Sequence, residues 1–439
     1  MKILYSMIYP PDRGGSGAPI YTLHLLEGTI DRGLEGGILF STGHDYRVPR
    51  ARYESLPLRF ERPAIFDSQP SVPQSIAFRD LTRAQVGELV SAFVDGFRRA
   101  WAAGYTLSHV QHGMYIGYAA HLAKRELGLP YVVSLHVMEL NFIHEFPDPI
   151  MAMAGMVHAD RIIALTDANK RRLLQIYTRE NILRWDMARH RRTREQAEAE
   201  YDAVVGPQDI DPARVCVIPL GIDMKRYDIR HDAALSSELA SLGIPDEAPL
   251  VLFAGRLIEM KGILHLLDAA RHYTTRCNAH TIVLGGGALT DQVRQRCAEQ
   301  SNVHYLGFKT QEELPAYYEY CARRNSVFCV PSRSEGLSLA YLEAMACGMR
   351  VMASCFEDMG EMDIMAPPWV SFVPFGDVEG LAQEMSRVLG ASASDYRQHI
   401  RRRVSGYDKE RFIARVHALY DAVDRTEDSP AAGQIAAQA

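Results

Sequence analysis

Short apolar runs alternate with helix-length amphipathic stretches along most of this chain, and near its middle the series begins again. Strands are predicted at 2–7, 37–41, 107–111, 131–135, 161–165 and 215–219, with helices at 18–31, 83–103, 117–127 and 168–176. The second series predicts strands at 250–254, 281–284, 303–306, 326–330, 350–353 and 371–373, separated by helices at 262–273, 290–300, 311–321, 339–346 and 378–389. Strands that alternate with helices read as βαβ units and parallel sheets. A chain of 439 residues exceeds one ordinary core. The expectation is an α/β protein of two Rossmann-like, doubly wound domains facing across a cleft. The stretch 223–248, rich in Asp, Ser, Ala and Pro, is expected to join them.

Composition narrows the function classes. Net charge is −6, with no overall basic field, which argues against nucleic acid as a partner. Seven cysteines without a C-x-x-C pair read as reduced, buried thiols of a cytoplasmic protein. The first strand meets Pro10-Pro11 too soon for a signal peptide, and no run of about 20 apolar residues follows. Peripheral membrane contact is not favoured, because the helix bearing Arg98 and Arg99 lacks a basic amphipathic face. Residues 184–200 are dense in charge and read as a solvated helical insertion; an acceptor lid or partner surface is the sharper alternative.

Four motifs carry chemistry. Arg256 and Lys261 lie in a loop between a strand ending at Gly255 and a helix starting after Gly262. An Arg fork beside a Lys point charge suits a diphosphate, on which charge grows as a bound group departs. Gly14 and Gly15, followed by Ser16, stand between the first strand and first helix. There backbone N–H groups can approach a phosphate, and a tight turn explains the glycines equally well. His112 and His136 each end a strand. His136-x-x-Glu139 is not a zinc motif, and no other cluster has metal-ligand spacing. Glu335 and Glu343 lie eight positions apart, across a strand-to-helix turn. They read either as a glycosidase acid/base pair or as separate carboxylates gripping ribose and sugar hydroxyls; placement on successive elements favours the second. The bland alternative for Glu343 is an exposed helix residue.

Together these pieces resemble the retaining glycosyltransferases of the GT-B fold, family-4 (group 1) type. The resemblance spans roughly residues 1–423 and rests on 217–223, Gly255-Arg256 with Lys261-Gly262, Leu284-Gly-Gly-Gly287, 303–308 and the E-x7-E spacing of Glu335 and Glu343. It implies an acceptor-binding domain at 1–223, with the charged insertion at about 180–210. A nucleotide-sugar domain follows at 224–405, then a helix at 406–426 crossing back to the first domain and a disordered tail at 427–439. It also implies roles. Arg256, Lys261, Gly15 and backbone groups at Ser338 and Leu339 would hold the donor diphosphate. Glu343 would take the ribose and Phe308 would lie near the base. Glu335 and His136 would work at the sugar and reacting centre, with Gly14, Ser16 and His112 in the acceptor or sugar vicinity. Front-face attack with retention would need no metal and no cofactor; the nucleotide-diphosphate sugar, UDP- or GDP-linked, is a substrate, and a small molecule is the acceptor.

The chain departs from the family pattern at Leu220, at Met349-Arg350, at Ser16-Gly-Ala and at 355–362. These departures leave sugar and acceptor identity open. They keep a pseudo-glycosyltransferase, or an N- or S-glycosyltransferase of natural-product biosynthesis, in view as alternatives. A non-catalytic nucleotide-sugar-binding protein is the alternative of another class.

Overall fold

A computed structural model describes residues 1–7, 17–41, 64–68, 80–228, 232–333, 338–354, 363–390 and 396–426. Every predicted strand and helix has a counterpart there. The chain divides into two compact units, one of 1–219 with the segment from 410 onward, the other of 220–409.

The first unit is built on a parallel sheet of β1 (Lys2–Met7), β2 (Glu35–Ser41), β3 (Ala64–Ser68), β4 (Leu107–Val110), β5 (Tyr131–Ser134), β6 (Arg161–Ala164) and β7 (Val215–Val217). Its order is β3-β2-β1-β4-β5-β6-β7, so the direction of winding reverses between β1 and β4. The strands are short and apolar because both faces are covered, as parallel sheets require. Helix Arg83–Ala102 begins in a Thr82–Gln85 capping box and buries one stripe on this sheet. Helix Pro149–Val157 buries every residue but Met151, so it lacks the amphipathic period that would have revealed it in the sequence.

The last helix, Lys409–Thr426, seats its residues from Glu410 onward on this same unit. Its partners there are polar as well as apolar. His417 Nε2 lies 3.2 Å from Thr29 Oγ1, and Tyr420 Oη lies 2.5 Å from His109 Nδ1. His109 Nε2 continues to Ser134 Oγ at 2.7 Å, and Tyr21 Oη meets the same Ser134 oxygen at 2.7 Å. Buried hydroxyls and imidazoles that satisfy one another in this way avoid the cost of burying unpaired polar groups.

The charged stretch near 180–210 forms two helices, Arg179–His190 and Arg194–Val204. They are more than a solvated appendage: Ile182, Leu183, Ala197 and Tyr201 are buried. Arg83 bridges Asp148 and Glu200, while Arg192 bridges Asp186 and Glu200. Charge density here marks ion pairs that anchor the pair of helices to its own unit.

The second unit carries a parallel sheet of β8 (Leu250–Ala254), β9 (His280–Leu284), β10 (Val303–Tyr305), β11 (Ser326–Val330), β12 (Arg350–Ser354) and β13 (Val370–Val373). Its order is β10-β9-β8-β11-β12-β13, with the reversal between β8 and β11. Part of the stretch expected to be a connector is structure: helix Ala233–Ser241 starts at an Asp232 cap and belongs to this unit. Its Asp-Ala-Ala-Leu start is a helix N-terminus, and the apolar stripe behind it is too short to stand out. Among the described residues no helix is long and apolar enough to cross a membrane.

Candidate active site

In open α/β sheets, ligands bind outside the carboxyl ends of the strands, where the winding reverses. Each unit has one such point.

In the second unit the point lies between the loops after β8 and β11. The ends of β8, β9 and β10 are laced by backbone bonds. Gly255 N–H donates to Leu284 O at 3.1 Å, Gly285 N–H to Gly307 O at 2.8 Å, and Leu257 N–H to Gly286 O at 2.9 Å. Gly285 takes φ +142°, and a Cβ there would overlap the Gly255 carbonyl. The loop after β8 is then tied to the loop after β11. Arg333 N–H donates to Met260 O at 2.8 Å. Gly262, at φ +68°, packs so closely on Pro331 that a Cβ would overlap its carbonyl oxygen. Only glycine fits both the left-handed backbone and the space.

This stitching holds the loop that bears Arg256 and Lys261 against the end of β11, at Pro331 and Arg333, and helix Leu339–Ala346 follows in the chain. Arg256 is exposed and Lys261 is partly so. Ser338 caps the helix in an extended conformation, so the first N–H groups, from Leu339 onward, lack partners inside the helix. Phe308 stands 58% exposed after β10, an unusual position for a large apolar ring in this chain. Glu343 is not the exposed residue of the bland reading: it is 6% exposed, and Tyr318 Oη donates to its Oε2 at 3.1 Å. Burial raises its pKa, while hydroxyls of Tyr227 and Tyr318 pull it back. Glu335 lies outside the described residues, as do Gly14, Gly15 and Ser16.

In the first unit the reversal lies between β1 and β4. The structure brings His112 and His136 together there, with ring centroids 4.9 Å apart. A fully buried carboxylate, Glu139, holds both: it receives His112 Nδ1 at 3.0 Å on one oxygen and the His136 backbone N–H at 3.1 Å on the other. Sequence reasoning missed Glu139 as a site residue. Its signal was the His136-x-x-Glu139 spacing, which is not a metal motif but a capping box at the start of helix Val137–Phe142. Burial, reinforced by the His112 charge and opposed by Glu139, lowers the His136 pKa to about 4, so the ring is neutral at pH 7. Among the described residues the buried His136 Nε2 has no hydrogen-bond partner. Among the described residues no three His, Cys, Asp or Glu side chains are grouped to hold a metal ion.

Comparison with known proteins bears on both units. Residues 16–221 match the family model described as "Glycosyl transferase 4-like domain", and residues 236–404 match "Glycosyl transferases group 1". The chain is 27% identical over 267 residues to an alpha-maltose-1-phosphate synthase of Mycobacterium tuberculosis, covering 58% of this chain and 60% of that protein. It is 27% identical over 314 residues to a D-inositol 3-phosphate glycosyltransferase of Xylanimonas cellulosilytica, covering 67% and 68%. With the first of these relatives the match thus spans only 60% of the relative's length. The Anabaena Alr3699/HepE structure in complex with UDP-glucose superposes with TM-score 0.64 at 18% identity, over 96% of this chain and 100% of that one. The alpha,alpha-trehalose 6-phosphate synthase of Burkholderia multivorans gives TM-score 0.67 at 13% identity, over 97% and 99%. At these identities the structural likenesses establish the fold.

Proposed function

The chain belongs to the group 1 glycosyltransferases of the GT-B, family-4 type, and from that premise we propose that it moves a sugar from a UDP- or GDP-linked donor to a small-molecule acceptor, with retention at the anomeric carbon and without a metal. One observation carries the donor half: the tie between the β8 and β11 loops, which holds the cation-bearing loop 256–261 against Pro331 and Arg333 at the winding reversal. A leaving nucleoside diphosphate gathers negative charge as the sugar departs. Arg256 and Lys261 neutralise it, and N–H groups at Ser338 and Leu339 add fixed dipoles. Glu343, held by Tyr227 and Tyr318, accepts from the ribose hydroxyls, and Phe308 offers a face to the base. Glu335, which lies outside the described residues, takes the donor sugar.

The leaving phosphate oxygen accepts the acceptor's proton on the same face of the sugar, so no separate protein base is required. His136 presents a neutral imidazole in the first unit, next to His112. The rate comes from positioning and charge stabilisation. A thermal-shift series with UDP, GDP, ADP and their sugars tests the donor, since a ligand of the native state raises its apparent stability. Binding of one diphosphate series, followed by NMR of the product, should give the donor's anomeric configuration, in EDTA as in buffer. No response to any nucleotide, or an inverted product, overturns the reading.

A further inference from the structure

Among the described residues of the first unit, three helices begin in a capping box, whose third helical residue bonds back to the backbone N–H that precedes the helix. In two of them that residue is a glutamine. Gln85 Oε1 receives the Thr82 N–H at 2.8 Å, and Gln196 Oε1 receives the Thr193 N–H at 3.0 Å. Gln196 is exposed and Gln85 partly so. In the third box the residue is Glu139, which is 0% exposed. A neutral amide thus serves the cap where charge would cost little, and a carboxylate stands where charge costs most. Capping does not account for the carboxylate, since an amide oxygen accepts a backbone N–H equally well.

The other oxygen does account for it. Glu139 Oε1 lies 3.0 Å from His112 Nδ1, and among the described residues no lysine or arginine pairs with this carboxylate. An ionised carboxylate only accepts hydrogen bonds. The nitrogen that meets it has to bear a proton, and a neutral imidazole has a single N–H. The proton of the neutral ring is therefore held at His112 Nδ1, and Nε2 keeps its lone pair. Glutamine at this position would reverse the assignment: with Oε1 on the His136 N–H, its amide N–H groups would meet His112 Nδ1 and drive the proton to Nε2. The buried Tyr177 steadies the same turn of chain, its hydroxyl donating to the Glu139 carbonyl at 3.3 Å.

We infer that Glu139 is a positioning residue of the transfer reaction: its carboxylate selects the His112 tautomer through one oxygen and pins the His136 backbone through the other, so that one side chain sets both imidazoles. The inference rests on the transferase reading and deepens it. The sense of the hydrogen bond that His112 Nε2 offers, accepting rather than donating, is decided by a residue 27 positions away.

Glu139→Gln keeps the size of the side chain and the cap, and removes the charge. Its melting temperature should equal or exceed that of the native chain, because a buried charge is gone. In mildly alkaline buffer, 15N-histidine NMR, with His112 assigned by its loss in His112→Asn, should place the His112 proton on Nδ1 in the native chain and on Nε2 in Glu139→Gln. The kcat for nucleotide release from UDP-glucose or GDP-mannose should fall about 10²-fold, while the Kd of UDP or GDP stays unchanged. His112→Asn leaves a donor toward Glu139 and removes Nε2. Adding Glu139→Gln to it should lower kcat no further, because the carboxylate acts through that ring. One tautomer common to both proteins overturns the inference. So do additive losses in the double variant, and so does failure of Glu139→Gln to fold, which would mean that the cap itself needs the charge. Native kcat in a Glu139→Gln protein whose tautomer has switched overturns it as well and leaves the transferase reading standing. A native chain that releases no nucleotide from any nucleotide sugar removes the transferase reading, and the role of Glu139 with it.

Discussion

The two units wind their sheets in the same order, yet they furnish the reversal point differently. In the second unit it is made of backbone: glycines 255, 262, 285 and 307, laced carbonyl to amide, with cations on the rim. In the first it is made of side chains: buried Glu139 receives both His112 Nδ1 and the His136 N–H, and the two histidine rings lie against each other. A diphosphate is a large diffuse charge that oriented N–H groups and cations satisfy whatever sugar it carries. In the proposed reaction an uncharged small-molecule acceptor has no net charge to grasp and would be recognised through placed donors and acceptors. Under the proposed function one architecture supplies a general grip in one unit and a particular one in the other.

The largest effect that would break this contrast concerns the rim cations. Lys261→Ala or Arg256→Ala should each lower kcat/KM for the donor by about 10²–10³-fold, with an unchanged melting temperature. Near-native turnover in either variant removes the general grip from this loop.

Acid should separate the units next. Burial lowers the pKa of His109 and His121 to about 3, of His136 and His417 to about 4, and also lowers His158, all in the first unit. In the second unit the described groups so affected are His280 and His304, the latter at about 4. A folded-state pKa below the unfolded value of about 6.5 means that the unfolded chain binds more protons between the two. Stability is therefore complete above pH about 6.5 and falls as pH drops toward about 4, by up to about 1.4 kcal/mol per pH unit for each such group. Hydrogen exchange at pH 5 should show the first unit opening ahead of the second; the opposite order contradicts the assignment.

Gly262→Ala probes the backbone side of the contrast. Left-handed strain and the overlap with Pro331 should cost about 1–3 kcal/mol, visible as a lower melting temperature and weaker nucleotide binding. Tyr420→Phe, at the small end, removes the partner of His109 Nδ1 and should cost about 1 kcal/mol in a urea titration, leaving nucleotide binding intact.

The second unit was the more legible in the sequence. Its strands are uninterrupted apolar runs such as 250–254 and 326–330, and its site is written in glycines and cations next to them. Glycines at strand ends and a cation-bearing loop are local signals. The first unit's site depends on which side chains share a face after folding. Glu139 could be seen as a residue three positions from a histidine, but its bond to His112, 27 residues away, has no local trace. Helix Ala233–Ser241 was read as a connector because its composition is that of a linker and its cap is one Asp.

The last helix has a consequence for synthesis. His417 and Tyr420 complete the bonds of Thr29 and His109, which leave the ribosome almost 400 and just over 300 residues earlier. The unit made first therefore has to wait, with His109 Nδ1 lacking its Tyr420 partner, until the unit made second has emerged whole. Order of manufacture and order of completion are inverted, and a nascent chain halted near residue 405 would carry a finished second sheet beside a first one still awaiting its cover.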